Sequence, residues 1–153
     1  MIIGGDDVNA RIDLIKRINK KYDICCVGSS ESIRRYFDNT DIKYFKYDLP
    51  NKNNIVNYIR GFFQLLIIIK KVKPGLVLTF DTIPNIIGRL AAKCCFIKVV
   101  IGTQPGLGII KRKESGIFFN VAKKIAVFAT KIINILSDMT IYQNSDDLEL
   151  MVK

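Results

Sequence analysis

The chain has 153 residues, 49% of them apolar, which suits one domain with a proper core and excludes a disordered chain. Its 24 basic residues outnumber 14 acidic ones, and the resulting +10 favours acidic partners such as phospholipid heads, diphosphates or nucleic acid. There is no histidine, which removes histidine bases, histidine metal ligands and a Ser-His-Asp triad together.

Residues 1–4 read as a short first strand, closed by Gly4, Gly5, Asp6 and Asp7. Residues 8–19 are helical, with Val8, Ile12, Ile15 and Ile18 three to four apart, and Asp6 or Asp7 is placed to cap them. Residues 23–27 form a second strand, 30–37 a short helix and 42–47 a third strand. Residues 54–71 form a long helix, capped by Asn53 or Asn54, with Tyr58, Phe62, Leu65, Leu66 and Ile69 as its main stripe. Lys70, Lys71 and Lys73 suit its negative end, and Pro74-Gly75 stops it.

A fourth strand (76–79) runs into the polar turn Phe80-Asp81-Thr82 and a helix with Pro84 near its start. Gly88, Ala91 and Ala92 in that helix are small enough for close packing on a sheet. A fifth strand (99–101) empties into Thr103-Gln104-Pro105-Gly106-Leu107-Gly108. Ser115 or Gly116 opens another long helix, reaching about Leu136. Its pattern predicts Ile117, Phe118, Val121, Ile125, Phe128, Ile132 and Leu136 on an apolar face. Asn120, Lys123, Lys124, Lys131 and Asn134 lie on the opposite, polar side, which Phe119 and Val127 interrupt. Residues 139–143 form a sixth strand, and Ser145 caps a last helical turn, 146–152. Strands alternating with helices imply an α/β fold: a single Rossmann-like domain, its parallel sheet covered by helices on both faces.

The four cysteines fall in adjacent pairs, Cys25-Cys26 and Cys94-Cys95. Neighbours on a strand point to opposite faces, so such pairs make poor metal clamps. Buried, reduced thiols are expected, which suits a cytoplasmic protein. The greasiest run, 61–69, is too short to cross a bilayer, and Asp6 and Asp7 interrupt any signal peptide.

The loops after the strands carry the chemistry. Gly4 and Gly5 let backbone N–H groups approach a ligand, or simply make a tight turn. Asp81 and Asn85 suit sugar hydroxyls, while Asp81 or Thr82 equally suits a helix cap. Lys111, Arg112, Lys113, Lys123, Lys124 and Lys131 against the single Glu114 suggest an anionic membrane surface, or a solvated helix. No stacking platform for bases is present, so nucleic acid is not expected as a partner.

The stretch VLTFDTIPNIIGRLAAKCCFIKVVIGTQPGLG (77–108) resembles the amino-terminal, acceptor-side domain of family 4 glycosyltransferases, enzymes of the two-domain GT-B fold. These read "T…PN…G.LAA" and then "…TG.G" at the two places. Many relatives carry a histidine where this chain has Pro105, and a "TITGLG" subset lacks it too. Residues 141–148, IYQNSDDL, resemble the family's "FQN.DD" segment. The resemblance is strong over 73–108 and 139–148 and weak before residue 73.

The resemblance implies the acceptor half of a retaining enzyme. Such an enzyme moves a sugar from a nucleotide-sugar to a saccharide, often lipid-linked at the inner membrane face, in cell-surface polysaccharide synthesis. It implies acceptor contacts from Gly4, Gly5, Asp6, Asp81, Asn85, Thr103, Gln104, Gly106, Leu107 and Gly108. In the family the donor nucleotide and a glutamate-bearing motif lie in a carboxyl-terminal domain. That domain is expected to be missing from residues 1–153, leaving a truncated product or half of a split enzyme that needs a partner. Whether the chain alone is an enzyme stays open, and neither cofactor nor metal is expected. The alternative is a non-catalytic Rossmann-like module that binds a nucleotide or a partner.

Overall fold

The structure, a computed structural model, describes residues 1–49, 55–104 and 117–152. Six parallel strands form one sheet: β1 (Ile2–Ile3), β2 (Cys25–Gly28), β3 (Lys43–Lys46), β4 (Leu76–Phe80), β5 (Val99–Gln104) and β6 (Met139–Tyr142). Their order is β3-β2-β1-β4-β5-β6, so the chain winds outward from β1 in both directions. That reversal beside β1 leaves a crevice at the carboxyl ends of β1 and β4.

The helices are α1 (Ile12–Asn19), α2 (Ile55–Val72), α3 (Thr82–Cys94), α4 (Ile117–Leu136) and α5 (Ser145–Val152). Two cores form, one on each face of the sheet. Ile3, Val27, Val77 and Val100 meet Leu65 and Ile69 of α2 and Ile87, Ala91 and Ala92 of α3. Ile2, Cys26, Tyr44 and Phe80 meet Ile15 of α1 on the opposite face. Gly88 lies against the sheet as its size suggests, since a β-carbon there would come within 3.3 Å of Thr79 Cγ2. The expected stripe of α2 faces inward, with Leu65 and Ile69 fully buried and Phe62 and Leu66 packed beside them.

Local corrections are instructive. The first helix opens with a 3-10 turn, Val8–Arg11, and Asp7 at its start makes no side-chain cap. The expected helix at 30–37 is a 3-10 stretch, Glu31–Tyr36. Lys73 ends α2 in a left-handed conformation (φ 51°), before Pro74 is reached. Asn144, not Ser145, caps α5: its Oδ1 accepts the Asp147 N–H at 2.8 Å. The asparagines proposed to cap α2 lie outside the described residues. Cys25 and Cys26 are buried free thiols as expected, but Cys94 is exposed, because it sits on the outward side of α3.

The direction of α4 is one its pattern leaves open. Thr130 and Ile133 are buried, and Asn134 turns toward the sheet, whereas Val121, Ile125, Phe128 and Ile132 of the apolar stripe are exposed. The surface beneath α4 is polar, made by Arg89, Thr140 and Tyr142. Buried polar groups need partners, so α4 turns Thr130, Ile133 and Asn134 inward and its apolar stripe outward.

Candidate functional site

The carboxyl edge is built from the ends of β1, β4 and β5. At β1, Gly4 donates its N–H to Val27 O and accepts the buried Tyr47 hydroxyl at 3.0 Å. Burial holds that phenol far above its usual range, so it stays a neutral donor. The Gly5 N–H turns instead to β4 and donates to Asp81 Oδ2 at 3.1 Å.

Asp81 is the pivot. Its backbone has φ 68° and ψ 158°, a region that side-chain-bearing residues rarely enter. Its side chain does not cap α3; its carbonyl accepts the Asn85 N–H while its carboxylate reaches across to the β1 loop. Arg11 Nη2 donates to Asp81 Oδ1 at 3.1 Å, and the guanidinium lies 4.3 Å from the Phe80 ring centre. Arg11 Nη1 also lies 3.7 Å from Asp7 Oδ1. Burial first, and the neighbouring Asp81 carboxylate second, raise Asp7 above its ordinary value. One guanidinium thus bridges two carboxylates at the sheet's crevice, with Asp6 exposed beside them.

Asn85, Thr103 and Gln104 reach the same edge but face inward. Asn85 Nδ2 donates to Thr103 O at 2.7 Å and Gln104 Oε1 at 3.3 Å, and Asn85 Oδ1 accepts the Thr79 hydroxyl at 2.5 Å. Asn85 and Gln104 are each 1% exposed, so they brace β4 against β5 and present no surface to a ligand. The bracing continues through Arg89, which is fully buried and, among the described residues, pairs with no carboxylate. Arg89 Nε donates to Asn85 O, and Nη1 to Asn134, Ser137 and Thr140. Burial lowers its pKa to about 10.

The expected positions therefore divide. Gly4, Gly5, Asp6, Asp81, Asn85, Thr103 and Gln104 gather at one edge, and only Asp6 and the Asp81 region open outward. Gly106, Leu107, Gly108, Lys111, Arg112 and Lys113 lie outside the described residues, as does the side chain of Lys123. Lys124 is exposed and Lys131 half-buried on α4. Arg11 and Arg89 were missed by sequence reasoning. Arg11 follows Asp7 by four, an ion-pair spacing, and Gly102 within β5 signals the close approach of another group. Among the described residues no group of three or more Cys, Asp or Glu side chains could hold a metal ion.

Against known proteins, the profile of the family described as "Glycosyl transferase 4-like" matches residues 9–137. No curated protein matches the sequence. Among solved structures, a UDP-N-acetylglucosamine 2-epimerase superimposes over 99% of this chain and 42% of its own, with TM-score 0.70 and 17% identity. The UDP-GlcNAc 2-epimerase of Methanocaldococcus jannaschii matches 99% of this chain and 41% of its own, with TM-score 0.64 and 18% identity. MurG of Acinetobacter baumannii matches 95% and 40%, with TM-score 0.61 and 12% identity. At these identities the likeness shows the fold alone, and the chain spans about two fifths of each neighbour. A six-stranded parallel sheet in the order 3-2-1-4-5-6, GT-B-type neighbours and a profile covering most of the chain agree: this chain belongs to the glycosyl transferase 4-like family.

Proposed function

We propose that this domain is the acceptor-side half of a retaining glycosyltransferase, which moves a sugar from a nucleotide-sugar to a lipid-linked saccharide during cell-surface polysaccharide synthesis. The saccharide meets the crevice at Asp6 and Asp81. The donor nucleotide belongs to a second domain or partner chain, so the domain alone transfers nothing.

The observation that carries the lipid-linked part is the outer surface of the helical layer. Val56, Ile59, Phe63 and Ile67 of α2 are exposed, as are Leu90 of α3 and Val121, Ile125, Phe128 and Ile132 of α4. These side chains expose on the order of 1,000 Å² of apolar surface, beyond what a free monomer normally shows. The sequences of α2, α3 and α4 contain no acidic residue, and Arg60, Lys70, Lys71, Lys93, Lys124 and Lys131 flank the stripes. An apolar face with a cationic rim suits an anionic membrane surface on the cytoplasmic side. Among the described residues no helix is long and apolar enough to cross a membrane, and the proposed contact is a peripheral one.

The test is co-sedimentation with phosphatidylglycerol vesicles, with and without a polyprenyl-diphosphate-linked saccharide. The wild-type chain binds, salt releases it, and Phe63→Glu with Phe128→Glu loses binding while keeping its melting temperature. Equal sedimentation of the double variant would remove the membrane reading. Turnover of a nucleotide-sugar by the chain alone would remove the half-enzyme reading.

A further inference from the structure

Two buried nitrogen donors on the α3 and α4 side of the sheet have no acceptor among the described residues: Arg89 Nη2 and Gln104 Nε2. The two residues are 0% and 1% exposed. A buried polar atom costs stability unless it finds a partner, and a buried charge costs more. The Arg89 guanidinium is both.

The register sets the two donors side by side. Gly102 and Gln104 lie two apart on β5, so both point to one face. Gly102 pairs with Thr140 of β6, and Gln104 with Tyr142. The Arg89 head lies over Gly102 and reaches Thr140. Gln104 and Tyr142 therefore form the next row toward the carboxyl edge. Nη2 shares one edge of the planar guanidinium with Nε, and Nε donates to Asn85 O at 2.9 Å. That edge faces Asn85, whose own amide meets Gln104.

The hydrogen bonds around them fix which way each donor points. Asn85 Nδ2 donates to Thr103 O, so the Gln104 atom beside it is Oε1, and Nε2 is turned away. Asn134 Oδ1 accepts from Arg89 Nη1 and from Thr140, so it is Nδ2 that meets the Tyr142 oxygen, at 2.6 Å. That oxygen is an acceptor there, and its own hydrogen remains to donate. Burial raises the Tyr142 phenol, the Asn134 bond and the Arg89 charge pull it back, and Asp147 adds a smaller push upward, so it stays a neutral O–H near neutral pH.

Three donors and one positive charge thus share one corner. The carboxylates nearby are engaged elsewhere: Asn144 Nδ2 donates to Asp147 at 2.8 Å, and Lys93 holds Asp138 at 2.8 Å. A water molecule would bring two hydrogens of its own that need acceptors, and would leave the charge unbalanced. A tetrahedral oxyanion would set four oxygens against three donors. One spherical monovalent ion accepts from all three and balances the guanidinium.

We infer that Arg89, Gln104 and Tyr142 form a binding site for a monovalent anion of halide size, enclosed beneath α4 between β5 and β6. The ion is structural, and distinct from the saccharide, which meets side chains open to solvent. Tyr142 is the half-buried member, and the ion enters from its side. Gln104 is the last residue of β5, so the ion fixes that strand end at the carboxyl edge.

The test exchanges gluconate for chloride at constant ionic strength, so that screening stays the same, and follows the melting temperature of the whole chain. A saturating rise of about 3–6 °C is expected once chloride stands about tenfold above its dissociation constant. The side-chain signals of Gln104 and Arg89 should shift with the same saturation. Tyr142→Phe removes one hydrogen bond to a charged acceptor and should weaken chloride by about tenfold. Gln104→Glu puts a carboxylate oxygen where Nε2 stood and should replace the ion. Its melting temperature in gluconate should equal or exceed that of the wild type and show no rise with chloride. Equal melting of the wild type in the two salts would overturn the proposal. So would a full chloride response in either variant, or shifts confined to surface lysines. If Tyr142→Phe does not fold, Gln104→Glu decides alone.

Discussion

The guanidinium of Arg89 occupies the space where a side chain at position 102 would begin. A β-carbon on Gly102 would lie 2.5 Å from Arg89 Cζ and Nη1. The glycine in the middle of β5 and the buried arginine on α3 therefore form one feature, the passage by which Arg89 reaches Asn134, Ser137 and Thr140 under α4.

Gly102→Ala should destabilise the domain by about 2 kcal/mol, since the planar group has no room to retreat within a packed, fully buried setting. Arg89→Ala should cost about 3 kcal/mol, through lost packing and lost hydrogen bonds. In the Arg89→Ala background the Gly102→Ala penalty should shrink to below about 1 kcal/mol, because contacting residues do not add. Urea denaturation of the four proteins measures the coupling. Additive penalties would show that the glycine serves something other than the arginine.

Asp81 makes a different case, because its backbone favours glycine while its side chain makes two polar contacts. Asp81→Ala keeps the unfavourable φ and loses the bonds from Gly5 and Arg11, for a cost of about 2–3 kcal/mol. Asp81→Gly loses the same bonds but relieves strain of about 1–2 kcal/mol, so it should be the more stable of the two. Both should lose saccharide binding in the vesicle assay. An alanine variant at least as stable as the glycine variant would remove strain from the account.

Much of this was legible in the residues. Alternating apolar runs and helical spacings located all six strands and the long helices, because a parallel sheet buried on both faces forces those patterns. The positions of Gly4 and Asp81 follow from the same rule, each coming directly after a strand, while β5 runs on to Gln104 and so takes in Thr103, which the spacing places in the loop beyond. For α4 periodicity identified the apolar stripe and left its direction open. Apolar stripes usually face inward, and only the polar group made by Arg89, Thr140 and Tyr142 reverses that here. The roles of Asn85 and Gln104 were equally hidden. An amide suits a sugar or a brace, and the choice depends on burial, which spacing does not reveal.

The Asp7 and Asp81 carboxylates predict a pH effect with a definite sign. Asp7 has a folded pKa above its ordinary 3.8, through burial and then the nearby Asp81 charge. Between those two values the folded chain holds more protons than the unfolded one. Stability contributed by this group therefore falls as pH rises through that window. Asp7→Asn removes the titration. The melting temperature of Asp7→Asn minus that of wild type should grow as pH rises from about 4 toward neutrality. In an Asp81→Asn background the same difference should be smaller, since one source of the shift is gone. A difference that stays flat with pH would mean that Arg11 fully compensates both carboxylates.

The thiols provide the most direct check on the two faces of the sheet. Cys25 and Cys26 are neighbours on β2, so alternation sends one into each core, and both are buried. Burial raises both, Cys26 to about 12. At pH 8 a thiol with that pKa is thiolate in only about one molecule in ten thousand, and the thiolate is the reactive form. Cys95 is half-buried, with its thiol 3.9 Å from Leu66 O and its pKa raised by burial. Cys94 alone is exposed. A disulfide-exchange reagent should therefore label one thiol quickly in the native domain, a second more slowly, and all four only after denaturation. Cys94→Ser should abolish the fast phase without changing the total slow amplitude. If the fast phase survives in Cys94→Ser, or if three thiols react quickly in the wild type, β2 is not sealed between two cores, and the packing that positions Gly4 and Gly5 at the crevice fails with it.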